Sequence, residues 1–376
     1  MKNKNADSSP FFSIIMPTYG VEKYISDALE DIQTQTFKDW ELIVVDDCTP
    51  DNSIAIVKEK AQTDSRIRIV HHEQNKGLSE ARNTGIKEAK GKYLWIPDPD
   101  DRYDCSLLSN VYKALEASPA PITIIGHTDD FYNDQNQVTQ KEEYCLSEIA
   151  SKTLGKDISR SPFWHLTKDQ FRSVALDLEI NTHLGYAWNK IYSADYLKEN
   201  QLSFETVTLI EDIVFNVAAI QDVSCVNLAN GCPYHYAKRE KTNLTNKFVP
   251  EYFEVHTRRI QILRDQQESW GLLNNETRSI LGGLYARYIL SALERNEQAE
   301  SNLSKQQKRQ WCEDLFSSPL FNELIPYAQS QGNKALDICL EPMKERNAKK
   351  LLTLAKGIHF AKRHASGFFT KAKTRR

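Results

Sequence analysis

Three carboxylates in four residues, Asp98-Pro99-Asp100-Asp101, are the densest chemistry in the 376-residue chain. Aspartate oxygens are the ligands that Mg2+ and Mn2+ prefer, and such a cluster would repel a diphosphate unless a hard divalent cation lay between them. Pro99 fixes the backbone between two of the aspartates and can hold both side chains toward one crevice. No G-x-G-x-x-G follows the first apolar run and no G-x-x-x-x-G-K-[ST] occurs, so a metal-bridged diphosphate is the economical reading. In isolation the same acidic string would read as a solvated or helix-capping loop. Asp47 can accept a hydrogen bond from a base N–H, and Tyr19 can stack on the base or bond to it. The plainer alternatives are a turn started by Asp47 and a half-buried loop aromatic. Arg82 can pair with a phosphate, with the acidic cluster or with a surface partner.

These side chains need elements to place them. Phe11–Met16 is a short apolar run stopped by Pro17 and reads as a buried strand. Ile25, Ala28, Leu29 and Ile32 recur at helical spacing through Val21–Gln35. Leu42–Val45 is a second strand ended by Asp46-Asp47, and a helix is expected over Ser53–Ala61. Ile67–Val70 makes a third strand, Ser79 is expected to N-cap a helix running to Ala89, and Gly91 closes it before a fourth strand at Tyr93–Ile96. The order βαβαβαβ predicts right-handed crossovers and a parallel α/β sheet covered on both faces. Such sheets bind ligands at the carboxyl ends of their strands. Pro17-Thr18-Tyr19, Asp46-Asp47, Asn75-Lys76-Gly77 and the acidic string fall at four successive ends, and this convergence weighs more than any single motif.

Phe11–Gly20 (FFSIIMPTYG), Glu41–Ser53 (ELIVVDDCTPDNS), Asn75–Gly85 (NKGLSEARNTG) and Tyr93–Asp101 (YLWIPDPDD) together resemble family 2 glycosyltransferases of the GT-A fold, over residues 11–240. The resemblance implies a Rossmann-like, mostly parallel sheet with helices on both faces. It also implies inverting transfer from a nucleoside-diphosphate sugar, usually a UDP-sugar, to an acceptor hydroxyl in surface polysaccharide or glycolipid synthesis. By motif position, Pro17, Tyr19 and Asp47 would surround the base, Asn75 and Arg82 would line the nucleotide, and Asp98 would lie near the ribose and diphosphate. Asp100 would ligate Mn2+ or Mg2+, with Asp101 a second candidate. Gly20 stands where the family has Asn, and Pro97 where it has a large apolar residue, but neither departure removes a carboxylate.

Ala187–Tyr192 (AWNKIY) and Leu209–Phe215 (LIEDIVF) resemble the acceptor-side segments of the same family. They imply acceptor-side places for Trp188, Asn189 and Lys190, and a base at Asp212 with Glu211 as helper or alternative. Inversion needs a carboxylate opposite the leaving diphosphate to take the acceptor proton. Without the upstream motifs the pair would read as helix acids favoured by the dipole. Trp188 is expected either as a sugar-stacking floor or as a buried aromatic. His235-Tyr236 with Arg239, then Thr242–Thr245, resembles the basic segment that closes over the diphosphate, with His235 as a third metal ligand or a diphosphate donor. Two other readings compete: a non-catalytic GT-A scaffold that binds a nucleotide sugar, and a sugar nucleotidyltransferase. Retention of Asp100 and Asp212 argues against the first. The second usually shows a glycine-rich basic loop where this chain has PTYGV.

The length suits two to three domains, and 40% hydrophobic residues suffice for a sizeable core. The expected division is a disordered 1–10, a catalytic 11–240, a helical 241–340 and a basic amphipathic tail over 341–376. The helical part carries Ile260, Leu263, Leu272, Leu273, Leu281, Leu284 and Ile289, then a polar break over Glu297–Gln307. The net charge of −3 hides an asymmetry, because residues 341–376 hold 11 Lys/Arg against 2 Asp/Glu. Leu351, Leu354, Ile358, Ala361, Ala365 and Phe368 recur there at helical spacing, which suits an anionic membrane surface; a solvated tail or a nucleic-acid contact is the alternative. The rest of the chain is acidic, so no nucleic-acid partner is expected. Seven cysteines without a CxxC pair favour free thiols in a reducing compartment. The opening residues lack a signal core and no run nears the ~20 apolar residues of a membrane span. The expected place is the cytoplasm, peripheral on the inner face of the plasma membrane.

Overall fold

The computed structural model describes residues 9–155, 161–207, 209–239, 249–330 and 332–364, with backbone alone for 362–364. Most of the expected disordered N-terminus, the Thr242–Thr245 stretch, and Ala365 and Phe368 of the tail lie outside these residues. The chain divides into two compact units, Met1–Thr245 and Asn246–Arg376.

The first unit opens with the alternation expected: β1 (Phe12–Thr18), α1 (Ile25–Gln33), β2 (Trp40–Asp46), α2 (Ser53–Thr63), β3 (Ile67–His71), α3 (Leu78–Glu88) and β4 (Tyr93–Trp95). These four strands are mutually parallel in the order β3-β2-β1-β4. β1 is buried along its whole length, as a strand covered on both faces must be. Helix α1 lays Ile25, Ala28, Leu29 and Ile32 into the core cluster that also holds Phe12, Ile14 and Met16.

Two local expectations are corrected. Pro17 does not stop β1, which continues to Thr18 in register with Asp46. Strand β4 pairs only as far as Ile14, so the proline sits where one side of the strand has no ladder partner to lose. Ser79 does not cap α3 either; Gly77 is the N-cap, and the Ser79 hydroxyl donates to the Glu205 carbonyl at 2.8 Å. Gly91 turns the chain against β1 so closely that a Cβ there would lie 2.4 Å from the Ser13 nitrogen.

The sheet then changes character. β5 (Arg102–Tyr103), α4 (Leu107–Ala117), β6 (Ile122–Tyr132), β7 (Val138–Tyr144), α5 (Ser147–Leu154) and β8 (Phe163–Thr167) are followed by α6 (Lys168–Ile180), β9 (Lys190–Ser193), α7 (Ala194–Glu199), α8 (Glu211–Ile220) and β10 (Cys225–Arg239). β9 enters antiparallel between β4 and β6, and β10 runs parallel to β6 and antiparallel to β5 and β8. The completed order β3-β2-β1-β4-β9-β6-β10-β5 is therefore a mixed sheet whose β3-β2-β1-β4 half is parallel.

Cys145 and Cys232, 87 residues apart, are joined in a disulfide, which corrects the expectation of free thiols throughout. They meet because β6 pairs with both β7 and β10, a proximity that sequence spacing does not record. The five other cysteines are free.

The second unit is helical among its described residues: α9 (Tyr252–Ser269), α10 (Asn275–Arg295), α11 (Lys305–Ser317), α12 (Pro319–Leu324), α13 (Lys334–Lys344) and α14 (Ala348–His364). Ile260, Leu263, Leu281 and Ile289 are buried, whereas Leu272 and Leu273 fall in the turn between α9 and α10. Asn274 and Ser304 cap α10 and α11 with reciprocal capping boxes, which places the polar break between those helices. Among the described residues no helix is long and apolar enough to cross a membrane.

Candidate active site

Helix α3 carries Arg82 to the carboxyl ends of the strands, where the residue is only 1% exposed. Its Nη1 donates to Asp212 Oδ1, its Nη2 lies 3.3 Å from Asp98 Oδ1, and Glu211 Oε1 lies 4.0 Å away. The second oxygen of Asp212 accepts from the Ala187 backbone N–H at 3.0 Å. One guanidinium thus joins the acidic string after β4 to the Glu211-Asp212 pair in the first turn of α8. Burial opposes its charge, but Asp212, Asp98 and Glu211 together outweigh that and raise its pKa.

The carboxylates show the opposite strain. Burial pushes Asp98 up to about 7, with Asp100 and Asp212 adding repulsion and Arg82 opposing it. Burial, then the charge of Asp212, raises Glu211, whose Oε2 is buried without a hydrogen-bond partner. Burial raises Asp100 as well, against the pull of Arg239. Asp101 is raised by burial first and then by Asp100 and Asp98.

Strand β10 holds the acidic string from the other side. Tyr234 donates its hydroxyl to Asp101 Oδ2 at 2.6 Å, Ala237 N–H donates to Asp101 Oδ1 at 2.8 Å, and Asp98 N–H donates to the Tyr234 hydroxyl at 3.2 Å. Tyr103 reaches the Asp98 carbonyl at 2.5 Å. Arg239 donates to the Asp100 carbonyl at 2.8 Å and lies over the rings of Tyr24 and Tyr132. A cleft of about 270 Å³ opens there, lined by Asp100, Arg102, Tyr24, Tyr132 and Arg239. Both oxygens of Asp101 are engaged by β10, so Asp98 and Asp100 are the carboxylates left to meet a cation. Their crowding, with proton affinities raised by burial, fits a hard divalent ion.

Beyond the end of β2 Asp47 is buried and accepts from Lys76 N–H and Gly77 N–H, each at 2.8 Å. Pro17 is buried, whereas Tyr19 and Asn75 are exposed. Several expected residues are not brought to the Arg82 cluster. His235 projects from the opposite face of β10 to Tyr234 and Tyr236, with ring nitrogens 3.3 Å from Asp104 and 3.3 Å from Asp130. Trp188 is 1% exposed and packs parallel to the rings of Tyr186 and Tyr234, so it takes the buried-aromatic alternative and offers no sugar floor. Asn189 and Lys190 are fully buried. Lys190 Nζ donates to the carbonyls of His183 and Tyr186 and to Asn189 Oδ1, and burial pulls its pKa down to about 7.

Tyr103, Tyr234 and the Ala187 N–H escaped the sequence reading. The two tyrosines carry no motif, and a backbone donor carries none by nature. A hydroxyl-bearing ring on a strand that ends in His235 and Arg239 was the available hint.

The family model of "Glycosyl transferase family 2" matches residues 13–199. An uncharacterized glycosyltransferase of Bacillus subtilis, EpsJ, is 27% identical over 329 residues, covering 87% of this chain and 89% of that one. The Staphylococcus aureus poly(ribitol-phosphate) beta-N-acetylglucosaminyltransferase TarS is 28% identical over 253 residues, which is 65% of this chain and 39% of TarS. The crystal structure of S. aureus TarS 1–349 in complex with UDP-GlcNAc superposes with a TM-score of 0.61 at 19% identity, over 93% of this chain and 92% of that one. That likeness establishes the GT-A type of fold. Residues 13–199 are therefore a glycosyl transferase family 2 domain, and the protein is a glycosyltransferase of that type.

Proposed function

We propose that the protein transfers a sugar, with inversion, from a nucleoside-diphosphate sugar to a hydroxyl of a glycan or lipid-linked acceptor in surface polysaccharide or glycolipid synthesis. The observation that carries this reading is the buried Arg82 bridge between Asp98 and Asp212, because it couples a donor-side carboxylate to an acceptor-side one. Pro17, Tyr19 and Asp47 take the base, and Asn75 and Asp98 lie along the nucleotide. Arg239, with His235 beyond it, is the basic flank of the diphosphate. A UDP-sugar is the favoured donor, a choice supported by the UDP-GlcNAc held by TarS.

Asp100, with Asp98 beside it, is the place for Mn2+ or Mg2+, and Asp101 serves mainly to tie the loop to β10. When bound, the ion would neutralise charge on the leaving diphosphate. Asp212 takes the acceptor proton, its carboxylate held by Arg82 and by the Ala187 N–H. Glu211 is the alternative base.

The test is a panel of nucleotide sugars with Mn2+ or Mg2+, read by nucleoside diphosphate release. One UDP-sugar should stand out, and Asp100→Asn or EDTA should lower its turnover by about 10²-fold or more. Activity indifferent to both would remove the metal from the reading, and silence across the whole panel would remove the transferase.

The basic end is assigned to an anionic membrane surface. Helix α14 buries Leu351 and Ala355 and exposes Lys349, Lys350 and Lys356. Each lysine near such a surface contributes about 1 kcal/mol. Reversing all three to glutamate should lower co-sedimentation with phosphatidylserine-containing vesicles by about 10-fold or more; equal sedimentation would dismiss the assignment.

A further inference from the structure

Asp46 and Asp47 follow one another at the end of β2, and His71 and His72 follow one another at the end of β3. The parallel register sets Asp46 opposite His71, so the next pair, Asp47 and His72, also meets. The two pairs differ in environment. His71 is half exposed beside Asp46, whereas the side chains of His72 and Asp47 are each only 4% exposed.

His72 Nδ1 lies 2.7 Å from Asp47 Oδ1, and its Nε2 lies 2.9 Å from the Thr84 hydroxyl on α3. A carboxylate only accepts, so Nδ1 carries a proton, which leaves Nε2 of the neutral tautomer to accept from Thr84. Lys76 N–H also donates to Oδ1, and Gly77 N–H donates to Oδ2. Gly77 holds φ at 88°, a left-handed conformation that favours glycine, and this lets the two successive N–H groups converge. Oδ1 thus accepts twice and Oδ2 once, which leaves Oδ2 one acceptor position.

We propose that His72, backed by Thr84, is a positioning residue that fixes the Asp47 carboxylate so that its remaining Oδ2 acceptor site selects a base carrying an imide N–H. This rests on the reading that Asp47 meets the nucleobase. Uracil offers N3–H to such a site, whereas cytosine offers an acceptor at N3 and is repelled. Without His72 the carboxylate keeps its two backbone donors, one on each oxygen, but loses the third contact that sets its plane, and discrimination falls because the acceptor is aimed less precisely.

The experiment is calorimetric titration of the full chain with UDP and with CDP, alongside donor KM and kcat. His72→Leu should shrink the UDP over CDP preference by about tenfold or more and raise donor KM with kcat nearly unchanged. His72→Asn, whose amide can replace the Nδ1 donor, should restore most of the preference. Thr84→Val should move it in the same direction as His72→Leu, and it reports on the relay if the leucine variant does not fold. Asp47→Asn is the control for the underlying reading. If Asp47→Asn abolishes the preference while His72→Leu and Thr84→Val keep it, the positioning role is wrong and the base contact stands. If Asp47→Asn itself keeps the preference, the base contact is wrong and the positioning role falls with it.

Discussion

Asp212→Asn is expected to lower kcat by about 10²–10⁴-fold while donor KM stays within about threefold, the signature of a group that acts in the transition state. The substitution keeps the shape of the side chain but removes its ability to take a proton. It also turns an amide NH2 toward one of two donors, since Asp212 accepts from Arg82 on one oxygen and from Ala187 N–H on the other. A loss of about 1–3 kcal/mol in stability should therefore accompany the loss of rate. Glu211→Gln is the necessary comparison, because Glu211 Oε2 is buried without a hydrogen-bond partner and loses less by becoming an amide. Steady-state nucleoside diphosphate release from both variants decides between them. A larger fall in Glu211→Gln moves the base to Glu211.

Arg82→Met should lower stability by about 3–5 kcal/mol in chemical denaturation, the effect of leaving buried charges uncompensated. The guanidinium is the shared partner of Asp98 and Asp212 and lies close to Glu211, so its removal sets three carboxylates against one another. Activity should fall at least as far as in Asp212→Asn, because Asp212 loses the donor that orients it. Arg82→Lys should recover only part of either quantity, since one ammonium cannot reproduce a fork that reaches two carboxylates. The double variant Arg82→Met with Asp212→Asn should be less destabilised than the two single losses added together, as expected for directly coupled groups. A loss below about 1 kcal/mol in Arg82→Met would mean that the cluster behaves as a surface ion pair.

The parallel half of the sheet was legible because its signals are local. Leu42–Val45 and Ile67–Val70 are β-branched runs bounded by turn residues, and the Ile25, Ala28, Leu29, Ile32 stripe is the face that α1 buries. The acidic string was legible as a place. What its members touch was not. Arg82 read equally well against a phosphate, the acidic string or a surface partner, and its tie to Asp212 spans 130 residues of chain. Trp188 suits a sugar floor or a core equally by its type, and only the rings of Tyr186 and Tyr234 packed against it decide for the core. β5 has two residues and β9 has four, too few for a periodicity to register. The Cys145–Cys232 bond is a contact between neighbours of β6, not a spacing, and so left no trace in the chain.

Strand β10 supplies both hydrogen bonds to the Asp101 carboxylate, yet Tyr234 lies 133 residues after Asp101. At a synthesis rate of ~5–20 residues per second, the acidic loop leaves the ribosome on the order of 10 s before the strand that will hold it. Through that interval the parallel half of the sheet already has every strand it needs, and Asp98 already has Arg82 and Tyr103 beside it, while the Asp101 carboxylate still lacks both of its donors. Completion of the parallel strands and anchoring of Asp101 are therefore separate events in the life of the nascent chain, with the second deferred until the last strand of the sheet arrives.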